Sequence, residues 1–304
     1  MNVRELQRKI RSLLKERDGI LLAHNYQRAE IQDIADLAGD SLGLSIQAGR
    51  TGAKVIVFCG VHFMAETAAM VSPGKTVLLP RMDAGCPMAD TITAKALRAR
   101  KKELPGVPVV TYVNSTAEVK AESDICCTSA NAVAVVKSIS AGRVLMTPDR
   151  NLAQYTRRHV DKEIILWDGC CNIHDNLTAG QIRRAKARWP KAVVLAHPEC
   201  RPEVIDLADE IRSTSGMLDF CAENSAKEFI IATENGLLHP LRKQNPDKKF
   251  YQASRAMVCP NMKLTRLKDV ILALETMEPV VTVPEDISRR AVKAVERMLA
   301  VPRD

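Results

Sequence analysis

Aromatic residues make up only 4% of this 304-residue chain. The core must therefore be mostly aliphatic. Aromatics interleaved with basic residues, the pattern single-strand nucleic-acid binders use, are missing too. No apolar run approaches the about 20 residues that span a bilayer, so no membrane helix is expected. The N-terminal stretch MNVRELQRKIRSLLKERDG reads as an amphipathic charged helix without the apolar segment of a signal peptide. A cytoplasmic protein is expected. There is no CxxC pair and no dense basic block. The net charge of +8 is read as a solvated surface. No nucleic-acid partner is expected, while small anionic substrates stay open.

Cysteine, by contrast, is plentiful. Nine are present: Cys59, Cys86, Cys126, Cys127, Cys170, Cys171, Cys200, Cys221 and Cys259. An odd count in a reducing compartment argues against a disulfide framework. Most cytosolic cysteines are small buried hydrophobes, and Cys59 and Cys221 fit that reading. A subset remains that could bind metal.

Apolar runs are expected as strands at 19–25, 54–59, 76–80, 108–113, 124–128, 143–147, 163–167, 192–197, 228–233 and 249–253. They are continuous rather than alternating, as strands buried on both faces are. Helical patterns such as TAKALRARKKEL and TAGQIRRAKARW lie between them. Strands alternating with helices imply parallel sheets and an α/β fold. From Thr265 onward the chain reads as two helices broken by EPVVTVPED.

The chain also repeats. His24, Tyr112 and His197 each end a strand, at separations of 88 and 85 residues. Cys86, Cys171 and Cys259 each follow a late strand, at separations of 85 and 88. Three similar α/β units follow: residues 1–86, 87–172 and 173–261, with the C-terminal helices of 262–304 packing on the first. Ligands of open parallel sheets bind beyond the strands' carboxyl ends. If three sheets point those ends at a common centre, three thiols and three polar strand ends converge. Three thiolates there could hold zinc or an iron–sulfur cluster, and spacing alone leaves both open beside the plain reading of no metal at all.

Other groups have plain readings beside functional ones. Tyr112 and Asn114 at a strand end are core residues or acid–base groups, since a metal or positive charge lowers a tyrosine pKa. The AHPEC segment is a turn forced by Pro198, or it pairs His197 with Glu199 for proton shuttling. Ser41, Ser129, Ser213 and Thr214 are helix caps, which is compatible with holding carboxylate or phosphate. VSPGKT fails as a phosphate loop because Ala69 stands where the first glycine belongs. GDSLGLSIQAG is not a dinucleotide fingerprint, and no ATP or NAD cofactor is expected. His62, His159 and His239 receive no role, and Met64 is read as wall.

AHNYQ with the following GDS, TYVNSTAEVKAESD, CTSANA, AHPEC, RSTSGM and CPNMKLT together resemble the quinolinate synthase (quinolinate synthase A) family, in order and spacing, from about Ile20 to Leu274. The resemblance implies three α/β/α sandwich units arranged with pseudo-threefold symmetry around a central 4Fe–4S cluster. It implies condensation of iminoaspartate (iminosuccinate) with dihydroxyacetone phosphate to quinolinate, phosphate and water, in NAD biosynthesis. The ligands carry over to Cys86, Cys171 and Cys259, leaving one iron open to substrate as a Lewis acid. The pattern W-x-G-x-C-x-x-H, ending at His174, selects Cys171 over its neighbour Cys170. Asn261 and Met262 stand where some members carry further cysteines, so no disulfide switch is expected. Tyr112, His197 and Glu199 carry over as catalytic, and His24, Ser41, Asn114, Ser129, Ser213 and Thr214 as substrate contacts. An aspartate-oxidising enzyme or an aspartate dehydrogenase would supply the unstable imine. The competing readings are another cluster-dependent hydro-lyase and a cluster-bearing nucleic-acid sensor.

Overall fold

The computed structural model describes residues 1–302. Twelve strands form three separate four-stranded parallel sheets. The first holds β1 (Gly19–His24), β2 (Leu37–Gly39), β3 (Val55–Cys59) and β4 (Thr76–Leu78), in the order β2-β1-β3-β4. The second holds β5 (Val109–Tyr112), β6 (Ile125–Cys127), β7 (Arg143–Thr147) and β8 (Glu163–Leu166), in the order β6-β5-β7-β8. The third holds β9 (Val193–Ala196), β10 (Glu210–Ile211), β11 (Glu228–Ala232) and β12 (Lys249–Gln252), in the order β10-β9-β11-β12. Each sheet reverses its winding between its first and third strands, which is where such sheets open a crevice at their carboxyl ends.

All ten expected strands are present. Both faces of each sheet are covered. In the first, Leu22, Ile56 and Phe58 pack into one cluster and Leu21, Val55 and Val57 into another. Successive side chains point to opposite faces, so burial on both gives the unbroken apolar run. The two unexpected strands, β2 and β10, are short edge strands of three and two residues.

Two polar devices recur in every unit. Asp36, Asp124 and Asp209 each stand immediately before the edge strand of their sheet. Their carboxylates accept the backbone N–H of Leu21, Val109 and Val194, each at 2.8 Å. Their own N–H groups donate to the carbonyls of those same residues. Each aspartate thus satisfies backbone where the edge strand is too short to do so. In the second device, the N–H groups of His62, Arg150 and Asn235 donate to the carbonyls of Ala84, Gly169 and Met257, each at 2.8 Å. Each accepting carbonyl lies two residues before Cys86, Cys171 or Cys259.

The helix Leu267–Thr276 packs on the N-terminal helix Val3–Glu16 over the first sheet. The last helix, Glu285–Leu299, departs from expectation. It lies mainly against helix Ala117–Ala121 and β6 of the second unit, joining that unit's core through Ala291, Ala294, Val295 and Met298. The first unit's outer face is already closed by the other two helices, and an apolar face remains open on the second. Asn131 Nδ2 secures the end of this helix at the carbonyls of Met298 and Val301.

Replacing Asp36, Asp124 or Asp209 by alanine leaves a strand N–H unpaired and is expected to cost about 1–3 kcal/mol each. Urea unfolding checks this; losses below about 0.5 kcal/mol would show the contacts to be incidental.

Candidate active site

The carboxyl ends of the three sheets meet around one cavity of about 710 Å³. Cys86, Cys171 and Cys259 all line it, one from each unit. So do His24, Ser41, Tyr112, Asn114, Ser129, His197, Glu199 and Thr214. Ser213 is not brought to this cavity. Its Oγ accepts the Gly216 N–H at 3.2 Å as the cap of helix Thr214–Glu223, and it borders a neighbouring cavity with Arg212. Cys170 is likewise outside, turned toward Asp175 and Arg150. Met64 lines the wall.

The strand ends repeat in detail. Each places a ring at or just past the last position and a polar or aromatic side chain two residues on: His24 and Tyr26, Tyr112 and Asn114, His197 and Glu199. The imidazoles of His24 and His197 each accept the backbone N–H two residues ahead through Nδ1, at 3.1 and 3.3 Å. At His24 this local bond orients the ring and leaves Nε2 to carry the proton. At His197 the 3.3 Å contact competes with Glu199 Oε2 for the same Nδ1, and a proton there is donated to the carboxylate.

Glu199 is the hub. Only 3% of it is exposed. Its Oε2 lies 2.8 Å from His174 Nδ1 and 3.2 Å from His197 Nδ1. His174 Nε2 lies 2.9 Å from Thr233 Oγ1, which is 2.5 Å from the Tyr26 hydroxyl. On the other side, His197 Nε2 is 3.2 Å from Ser129 Oγ, which also bonds the Tyr112 hydroxyl. A chain of hydrogen bonds therefore runs Tyr26, Thr233, His174, Glu199, His197, Ser129, Tyr112, through all three units. One neutral arrangement satisfies its first half. Tyr26 donates to Thr233, Thr233 donates to His174 Nε2, and His174 Nδ1–H donates to the carboxylate.

The charges follow from burial and neighbours. Burial works to raise the Glu199 carboxyl, but His174 and then His197 overcome it by charge and hydrogen bond, holding it below the ordinary carboxylate range. Burial outweighs Asp40 at His24 and lowers its pKa to about 4. Burial lowers His197 as well, against the pull of Glu199. Both tyrosines are pushed well above 10 by burial first and by Glu199 second. In the chain itself Tyr112 is thus held protonated, by burial first and by the negative charge of Glu199 second. Glu199 Oε1 and Asn114 Oδ1 are buried acceptors with no partner in the chain. Buried acceptors left free inside a cavity suit a ligand that brings donors.

Each cysteine opens a short helical turn, so its sulfur faces backbone amides: Met88 and Ala89 at Cys86, His174 at Cys171, Asn261 and Met262 at Cys259. Burial is the larger effect and raises all three thiols, Cys86 to about 12. Cys259 raises Cys86 further, and Cys86 raises Cys171. Three buried thiols, each met by amides, are poor nucleophiles alone and good ligands for a cation that takes their protons' place. Ligand atoms of Cys171, His174 and Glu199 also lie within 4.8 Å of one another. There the His174 Nδ1–Glu199 contact is a 2.8 Å hydrogen bond, so proton transfer describes that trio better than a shared ion.

Three members of the chain were not singled out from sequence for a role. Tyr26 follows the repeat, since 26, 114 and 199 are 88 and 85 apart. His174 was visible only as the end of a motif. Thr233 corresponds to Pro148 and Gly60 in the other units and leaves no such signal.

Between pH 6.5 and 4 the native state binds fewer protons at His24 than the unfolded chain does. Stability should therefore fall as the pH drops through that window, by up to about 3 kcal/mol in full. Urea unfolding at pH 7 and pH 4.5 should show a steeper loss for the parent chain than for His24→Gln. Equal slopes would contradict a buried neutral imidazole.

A family model described as quinolinate synthetase A protein matches residues 8–300. The quinolinate synthase of Geobacter metallireducens is 59% identical over 304 residues, covering all of both chains. That of Geotalea uraniireducens is 58% identical over 300 residues, 99% of each chain. The quinolinate synthase of Methanosarcina barkeri is 52% identical over 301 residues, 99% of each chain. With matches spanning nearly the whole chain and a cavity assembled from all three units, this chain belongs to the quinolinate synthetase A family.

Proposed function

We propose that this chain makes quinolinate by condensing iminoaspartate with dihydroxyacetone phosphate, with a 4Fe–4S cluster on Cys86, Cys171 and Cys259. The observation that carries the reading is one cavity holding a thiol from each unit beside a continuous proton chain. A zinc ion would want its sulfurs about 2.3 Å away and so nearly in contact with each other. The three cysteines are not among the ligand groups found within 4.8 Å of one another in the described residues, which favours a larger group. When bound, such a cluster supplies a Lewis-acidic iron with a coordination position open to substrate.

The chain's own residues supply the rest. No lysine or arginine lines the cavity among the described residues. Two anionic substrates would therefore be met by hydroxyls, by neutral imidazoles and by helix amides. Ser41 and Thr214 are the first residues of ten-residue helices and line the cavity, so each helix N-terminus would favour a carboxylate or phosphate there. Thr214 Oγ1 is held by Asn25 Nδ2 at 3.0 Å, which ties the third unit to the first. Forming the pyridine ring requires protons to be removed from carbon and delivered to departing hydroxyls. Glu199, ionised between two imidazoles, is the base. Tyr26 and Tyr112, kept protonated at the two ends of the chain, are the donors. Asn114 Oδ1 and Glu199 Oε1 accept from substrate hydroxyl or imine N–H. A reducing cytoplasm suits nine free thiols.

Turnover tests this directly. Anaerobically isolated protein, given both substrates, should release phosphate and form quinolinate in equal amounts, and should leave simple hydroxy-diacids untouched. Turnover of such diacids without dihydroxyacetone phosphate would mark a different hydro-lyase. Thr233→Val breaks the chain between Tyr26 and His174 and should lower kcat about 100-fold or more with KM little changed. An unchanged kcat would remove the relay from the mechanism.

A further inference from the structure

The three cysteine loops share one backbone tether, yet they are not held alike. Immediately before the three tether donors stand Val61, Asp149 and Glu234. Asp149 Oδ2 accepts the N–H of Cys171 at 3.0 Å. Glu234 Oε1 accepts the N–H of Cys259 at 3.0 Å. Val61, at the matching place beside Cys86, has no side-chain acceptor. Both carboxyl groups are buried, at 2% and 0% exposure. Each has its second oxygen on its own segment: Asp149 Oδ1 accepts from Leu152 N–H at 2.8 Å, and Glu234 Oε2 from Gly236 N–H at 2.6 Å. Each therefore bridges the loop after the third strand of its sheet to the cysteine loop after the fourth.

Burying a carboxyl group is costly unless its oxygens are used. The first unit folds in the same topology with a valine there, so the fold alone does not call for the carboxylate. What the two carboxylates add is a fixed backbone at the cysteine itself. The Cys86 loop has a different side-chain tie: Asn261 Nδ2, from the Cys259 loop, donates to the Gly85 carbonyl at 2.7 Å. Its position is thus slaved to the third unit. Lys263, at 3.0 Å from Glu234 Oε1, and its contact with the Tyr26 carbonyl, fasten that same loop to the first unit.

We propose that Asp149 and Glu234 are positioning residues for two of the three thiolates, with Glu234 also governing Cys86 through the Cys259 loop. The inference rests on the three-thiolate reading above. It makes the ligands unequal: loss of Asp149 frees one corner, while loss of Glu234 loosens two.

The test measures iron release from anaerobically reconstituted protein to a ferrous chelator, beside the melting temperature of the metal-free chain. Asp149→Ser keeps a hydroxyl to cap helix Arg150–Arg157 but is too short to reach the Cys171 amide as well. It should release iron about tenfold faster than the parent, a typical cost of losing a group that supports a metal ligand, with the metal-free melting temperature little changed. Glu234→Ala should release iron faster still. Iron release at the parental rate in both variants would overturn the proposal. So would acceleration that merely follows a lowered melting temperature, which is the signature of a structural role alone. A parent chain that takes up no iron would instead sink the three-thiolate reading itself, and this proposal with it.

Discussion

Three backbone hydrogen bonds, each 2.8 Å long, hold the loop that carries a cysteine against the loop that leaves the third strand of the same sheet. Because the bond joins main-chain atoms, it survives wide differences in side chain: His62, Arg150 and Asn235 serve equally as donors. It fixes each cysteine at the crevice that the sheet's own winding creates. With three sheets facing one centre, three fixed cysteines arrive in one cavity. The polar strand ends arrive with them, since they leave the same crevices. Convergence of the site is thus a property of the repeated topology, while side chains tighten the individual loops and decide what chemistry fills the centre.

That filling has an unusual charge balance. The cavity is lined by the carboxyl groups of Glu199, Asp40 and Glu234, by the His24 and His197 imidazoles whose pKa burial lowers, and by phenols and thiols kept protonated by burial and by Glu199. No cationic side chain lines it among the described residues. Such a centre can move protons over a long hydrogen-bonded path without committing a fixed charge at either end. It also favours a bound metal group, because deprotonating three thiols together without one is costly in so little water.

The fold was legible because its signal is simple. Strands covered on both faces carry unbroken apolar runs, and ten of the twelve could be read from such runs. β2 and β10 escaped because two or three half-buried residues cannot carry a periodic pattern. Their places were marked instead by Asp36 and Asp209, whose side chains do the pairing that the short strands cannot. The site was legible where the repeat reached it. His24, Tyr112 and His197 share one register, and the same arithmetic extends to Tyr26. Thr233 has no counterpart in the other units, and its role comes only from where β11 ends beside β1's following loop. Ser213 and Thr214 are adjacent in sequence, but the helix turn sends one hydroxyl to the cap and the other into the cavity. The last helix settled on the second unit because packing area, rather than sequence order, decides where an apolar stripe docks.

The central claim is that one thiol from each unit holds a single iron–sulfur cluster with a position left for substrate. Iron anomalous scattering from crystals of the anaerobically reconstituted protein tests it most directly. The account predicts four irons in one compact site, three of them bonded to Cys86, Cys171 and Cys259 and the fourth without a protein ligand. A single ion held by Cys171, His174 and Glu199, or iron bonded to Cys170 in place of Cys171, would contradict it.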